Sequence, residues 1–191
     1  MSPRVLATWA FLVLWGAGST LAIGSLMVNH TVALPEPTDA ELLIASARRA
    51  VGPTGRLHIV PGNCSCTDRL VEHLLERRAY DTEVVAMVGP SPGRLEQLRG
   101  AGYEVVSVAP DQVREQLGVV AAPIWVDLHL EEVRYAGGYF ARPAAAHPLL
   151  IDYLRRLDRG DRVPPLPIYG CAVDATLAQQ LDPLGLGATA E

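Results

Sequence analysis

Two of the three cysteines in this 191-residue chain stand almost together, in Asn63-Cys64-Ser65-Cys66-Thr67. The run follows an apolar, strand-like stretch, Arg56 to Val60, and the break Pro61-Gly62-Asn63. It opens a helical segment from about Cys64 to Ala79, with Leu70, Leu74 and Leu75 on one face. A cysteine at a helix start meets free backbone N–H groups and the positive end of the helix dipole, which together stabilise a thiolate. The thiolate is the attacking species in disulfide exchange. Within a helix, residues i and i+2 face different sides, so a Cys64–Cys66 disulfide requires Cys64 to sit outside the helix, at its cap. Gly62 and Asn63 give the loop freedom for that. So small a ring is expected to be strained and labile, favouring the dithiol.

Cys171 makes the cysteine count odd. It is either a third redox thiol, able to resolve a mixed disulfide with Cys64 or Cys66, or a buried spare that behaves as a small hydrophobe. His58 lies on the strand entering the cysteine loop. General-base work is open to a histidine there, against the blander reading of a hydrogen-bonded strand histidine. His73 falls two helical turns after Cys66, roughly 10 Å along the axis, too far for shared metal ligation. His129 and His147 fit surface or loop positions, and Arg77-Arg78 and Arg155-Arg156 fit solvated helix ends that complement the dipole. No phosphate-binding glycine loop and no Ser–His–Asp signature stands out.

The elements that must position these residues alternate. Thr38 and Glu41 form a capping box before an apolar stripe at Leu42, Leu43, Ala47 and Val51, and Gly52-Pro53 stops that helix. Strands are expected at 56–60, 82–88 and 103–108, with a helix opened by Ser91-Pro92 between the last two. Asp111 caps a short helix ending near Gly118. Residues 123–128 and 133–135 suggest a closing hairpin, and 144–157 a last long helix. This order predicts an α/β fold, a central mixed sheet with helices on both faces. Residues 158–191 form a Pro/Gly-rich tail with one short helix, Asp174 to Leu181.

Residues Val5 to Val28 carry no charged side chain, and about 20 apolar residues span a hydrocarbon core. Arg4 and the α-amine precede the run, while Glu36 and Asp39 follow it. The positive-inside rule therefore places residues 29–191 outside the cytoplasm. A cleaved signal peptide with a site at Ala22-Ile23-Gly24 is the alternative; the apolar run exceeds a usual signal core and favours an uncleaved anchor. The predicted organisation is a cytoplasmic N-terminus (1–4), a transmembrane anchor (5–28), a linker (29–37), a sheet domain (38–160) and a C-terminal extension (161–191). Cysteines in an exported chain suit a compartment where disulfides persist. With 49% hydrophobic residues a core is available without staples. The net charge of −5 is spread along the chain, which argues against a nucleic-acid partner.

Arg56 to Arg69, the strand 82–88, the helix–strand segment 91–108 and Glu115 to Asp127 together resemble the TlpA/ResA-type thioredoxin-like proteins. Asn63-Cys-Ser-Cys-Thr67, Gly137-Gly138 and Ile168-Tyr-Gly-Cys-Ala172 resemble, more closely, the RedB-like family with its C-x-C pair and late aromatic-Gly-Cys. The resemblance runs over residues 56–172 by motif order. It implies a thioredoxin-like fold with a TlpA-type helix–strand insertion, and a cis-proline at Pro123, after Ala122, beside the cysteine pair. Unlike thioredoxins with C-x-x-C after a tryptophan, this chain has C-x-C after Gly-Asn.

The expectation is a membrane-anchored thiol–disulfide oxidoreductase facing the periplasm or another extracytoplasmic space. Cys64 is the expected nucleophile and Cys66 its resolving partner. Pro123 would keep the backbone near Ala122 free to pair with a substrate strand. Its partners would be cysteine-containing exported proteins and a membrane or extracytoplasmic redox partner, with no organic cofactor. The rivals are a module binding Cu(I) through Cys64 and Cys66, since thiolates suit that soft ion, and a non-catalytic thioredoxin-like scaffold.

Overall fold

A computed structural model describes residues 2–182 apart from 63, 78, 80, 81, 144 and 146, with the backbone alone at 22, 25–31, 65 and 66. Asn63 of the expected loop and Arg78 of the expected arginine pair lie outside the described residues. The first helix, α1 (Pro3–Thr31), is apolar all round. Its stretch Pro3–Leu21 is long and apolar enough to cross a membrane.

The rest is an α/β unit. Its strands β1 (Gly55–Pro61), β2 (Glu83–Val88) and β3 (Glu104–Val108) run parallel, joined by α3 (Ser65–Arg77) and α4 (Pro92–Gly100). On the other side of β1, β5 (Ile124–His129) and β6 (Glu132–Gly137) add antiparallel, giving the mixed order β3-β2-β1-β5-β6. The β5–β6 turn places Leu130 and Glu131 at φ 52° and 66°, the left-handed pair that matches the twist of a two-residue hairpin, here without glycine.

Period-two alternation along β1 divides the core into two layers. Leu57 and Ile59 join Leu43 and Ala47 of α2 (Ala40–Val51), Val113 and Leu117 of α5 (Val113–Leu117), and Ile124 and Val126. Val60 joins Leu70 and Leu74 of α3, Leu98 of α4, Trp125, Tyr139, and Tyr153 and Leu154 of α6 (Leu150–Asp158). Helices therefore cover both faces of the sheet.

Local chemistry shifts several boundaries. Asp39, not Thr38, caps α2, its carboxylate accepting from the Leu42 amide at 2.8 Å; Thr38 instead donates to the Gly118 carbonyl. Helix α5 begins after Gln112 rather than Asp111, without a side-chain capping hydrogen bond. The last long helix begins at Leu150 rather than 144, because Pro148 biases the preceding residue away from helical backbone.

The largest difference concerns the tail. Rather than trailing from the domain, it returns across it. Strand β7 (Cys171–Ala172) pairs antiparallel with β4 (Ala121–Ala122). Helix α7 (Ala175–Leu181) is capped by Asp174, and Ile168, Val173 and Leu177 enter the first core layer. The expected linker is tied down as well: Leu34 is buried and its amide donates to the Ile168 carbonyl at 2.8 Å.

Candidate disulfide site

Cys64 sits immediately before α3, outside the helix, and its carbonyl accepts from the Thr67 amide at 3.0 Å. Its sulfur is bonded to Cys171, not to Cys66; the two Cα atoms are 6.5 Å apart and 107 residues separate them. The small-ring strain expected of a Cys64–Cys66 bond has no bearing on this pairing. Cys66 lies in the first turn of α3.

The loop that delivers Cys64 is pinned on three sides. Thr67 Oγ1, fully buried, donates to the Pro61 carbonyl at 2.7 Å. The Gly62 amide donates to the Val88 carbonyl, and a Cβ on Gly62 would come within 2.7 Å of the Gly89 carbonyl oxygen. From α4, Arg94 donates to the Gly62 carbonyl and pairs with Asp68 of α3. Gly62 thus supplies close approach rather than the expected freedom of the loop.

The other half of the bond is placed by the tail. Ala122 pairs with Cys171 and Ala121 with Ala172. The Val173 amide donates to the Val120 carbonyl at 2.9 Å, and Arg114 holds Asp174 at 2.7 Å. The Ala122–Pro123 peptide is cis. The backbone at Ala122, expected to stay open for a substrate strand, is therefore taken by the chain's own residue 171. Gly170 packs so tightly that a methyl there would overlap the Ala122 carbonyl oxygen and Pro123 Cδ.

Cys64, Cys171 and the Ala122–Pro123 element thus converge, and His58 does not join them. Its ring is fully buried on the aromatic face of the sheet, with Nδ1 2.5 Å from the Tyr139 hydroxyl and Nε2 3.9 Å from Glu83 Oε1. Ala122 and Val173 belong to the opposite core layer. His73 is half-buried near Arg77 and His147. Arg155 and Arg156 pair with Asp152 and Asp161 at an exposed helix end. Among the described residues, no group of three or more His, Cys, Asp or Glu is placed to hold a metal ion.

Arg77 departs from the solvated helix end expected for it. Its side chain is 5% exposed and grips Glu83 with two hydrogen bonds of 2.9 and 2.8 Å. Arg56 joins Glu83 to Asp127, and Arg134 reaches Asp127 at 2.6 Å, so that a largely buried chain of charges crosses the sheet from the starts of β1 and β2 to the end of β5 and on to β6. It lies at the end of β1 opposite the disulfide, about 20 Å away at 3.3 Å per residue.

This end of the sheet makes the fold acid-sensitive. Burial keeps the His58 imidazole neutral and lowers its pKa from 6.5, even with Glu83 nearby. Burial alone would raise the Glu83 carboxyl, but the hydrogen bonds and charge of Arg77 outweigh it and hold the group well below 4.5. Below about pH 6.5 the unfolded chain takes up a proton at His58 that the folded chain refuses, so stability falls with pH. Glu83 adds a second loss once pH drops below its unfolded value. The melting temperature is expected to decline from pH 7 to 5, and the His58→Gln variant to lose the His58 share of it, leaving that of the half-buried His73, whose pKa burial also lowers. A flat wild-type profile over this range would contradict the assignment.

No protein-family model matches this chain, and no curated protein matches it either. A solved structure described as a hypothetical protein from Sinorhizobium meliloti is similar, with 17% identity and a TM-score of 0.48. The similarity covers 68% of this chain and 82% of that one.

Proposed function

We propose that the chain is a thioredoxin-like thiol–disulfide oxidoreductase, held by α1 at the outer face of a membrane, whose redox pair is Cys64 and Cys171. One observation carries this. A disulfide has one half at the N-terminus of a thirteen-residue helix and the other on a strand paired beside Pro123. The helix end stabilises the Cys64 thiolate when the bond opens. The tail contacts around Val173 and Asp174 leave Cys171 facing it for reclosure. Two electrons and two protons enter as the bond becomes a dithiol, and no organic cofactor is needed. The same two electrons leave to a partner cysteine pair, or arrive from one, in an exported or membrane-bound protein. Cys66 lies in the first turn of the same helix.

The test uses the full-length chain in detergent and follows disulfide exchange with a model dithiol peptide. Wild type exchanges, and both Cys64→Ser and Cys171→Ser lose the activity. A Cys64–Cys171 bond that resists excess thiol in the folded protein would make it a structural staple and sink the proposal. Tight Cu(I) binding by the reduced chain without exchange would favour the copper-handling alternative, because Cys64 has no thiolate to offer a metal while it is bonded to Cys171.

A further inference from the structure

Resting on the oxidoreductase proposal above, we infer that Cys171, the tail cysteine, is the sulfur that meets the partner and carries the mixed disulfide. Cys64 is the leaving and resolving thiolate. This reverses the order in which the cysteine at the helix start attacks.

Three independent features point the same way. The first is access: Cys64 is 6% exposed, while Cys171 is half-buried. A groove of about 190 Å³ runs past Pro61, Pro90 and Pro110 and is lined by Cys171 but not by Cys64. Exchange depends on which sulfur can be reached. The second is the leaving group. The thiol with the lower pKa leaves faster, and of the two sulfurs only that of Cys64 stands at the start of a long helix. The third is placement, since the Val173–Val120, Arg114–Asp174 and Leu34–Ile168 contacts are independent of the disulfide. Cys171 therefore keeps its position beside Ala122 after the bond opens.

The step balances as follows. A partner thiolate attacks Cys171 Sγ, forming the mixed disulfide, while the Cys64–Cys171 bond breaks and its electron pair goes to Cys64 Sγ. The partner's second thiol loses its proton and attacks the partner sulfur of the mixed disulfide, which closes the partner's own disulfide. Cys171 leaves as a thiolate and takes up a proton. The partner dithiol has been oxidised by two electrons and this chain reduced by two. In reverse, Cys171 attacks a partner disulfide and Cys64 resolves the adduct. Because β7 fills the backbone edge at Ala121–Ala122, the partner presents its cysteine to the groove and does not add there as a strand.

The experiment treats oxidised full-length protein in detergent with the monothiol 2-mercaptoethanesulfonate, quenches with acid early, and locates the adduct by fragment mass. The same measurement on the Cys66→Ser variant excludes migration through that thiol. The expected result is an adduct on Cys171, in about tenfold excess over Cys64. An adduct predominantly on Cys64 overturns the inference and leaves the oxidoreductase proposal standing. No adduct on either residue, with the bond intact, overturns both.

Discussion

Gly170→Ala is expected to unseat the tail and lower the yield of the Cys64–Cys171 bond. Gly170 lies one residue before the pairing of Ala122 with Cys171, and its missing side chain lets the two backbones touch. A methyl would overlap a backbone carbonyl oxygen and a proline ring carbon, neither of which is the end of a flexible side chain. Relief requires moving the tail away from β4, which breaks the β4–β7 hydrogen bonds and separates the two sulfurs. Overpacking of this kind costs about 1–3 kcal/mol. In a chain of this size that is a fall of roughly 2–12 °C in melting temperature. The titre of free thiols in non-reduced protein should rise above the wild-type value. An unchanged thiol titre with an unchanged melting temperature would show that the tail can accommodate the methyl.

Glu83→Gln is expected to cost more. The residue is 4% exposed and accepts hydrogen bonds from Arg77 and Arg56, whose side chains are themselves largely buried. Removing its charge takes from Arg77 and Arg56 the buried carboxylate that accepts hydrogen bonds from both. Breaking one partner of a buried ion pair typically costs about 3–5 kcal/mol. Chemical denaturation of the variant measures the loss. Replacing Glu83, Arg77 and Arg56 together by apolar residues of similar size should recover much of it, because the penalty belongs to the uncompensated charges and not to lost volume. A single variant as stable as wild type would contradict the assignment. Since this cluster sits at the far end of β1 from Cys64, the variant should keep its disulfide intact while folded.

The parts of the fold with a strong period were legible in the residues. The strands 56–60, 82–88 and 103–108 and the helix opened by Pro92 stand within a residue or so of their expected places. Each carries enough alternation, or a sharp enough start signal, to declare itself. Cys64 does stand outside the helix, but the i and i+2 argument for it assumed a Cys64–Cys66 bond, and the bond formed is to Cys171. What was hidden depends on chain segments far apart. β4 and β7 are two residues each, too short for any period, and their pairing joins residues about 50 apart. The Cys64–Cys171 bond is similarly non-local, and proximity along the sequence pointed to Cys66. Arg77 reads as a solvated helix end, and nothing in the sequence joins it to Glu83, Arg56 and Asp127, because register, and not composition, brings them together. One signal was available: Arg56 and Glu83 stand at the first positions of otherwise apolar strands, where burial demands a partner.

The Leu34–Ile168 bridge has a consequence for reach. A free spacer of residues 29–37 would let the domain sweep a volume set by chain flexibility, roughly 15–18 Å for nine residues. Leu34 is instead hydrogen-bonded to the tail three residues before Cys171, and the Asp39 amide is bonded to Gly118. Helix α1 also approaches β7. In the proposed arrangement, with α1 in a bilayer, this tether would hold the cysteine pair near the lipid. For the proposed oxidoreductase, such a tether would favour partners that share the membrane or settle on its surface.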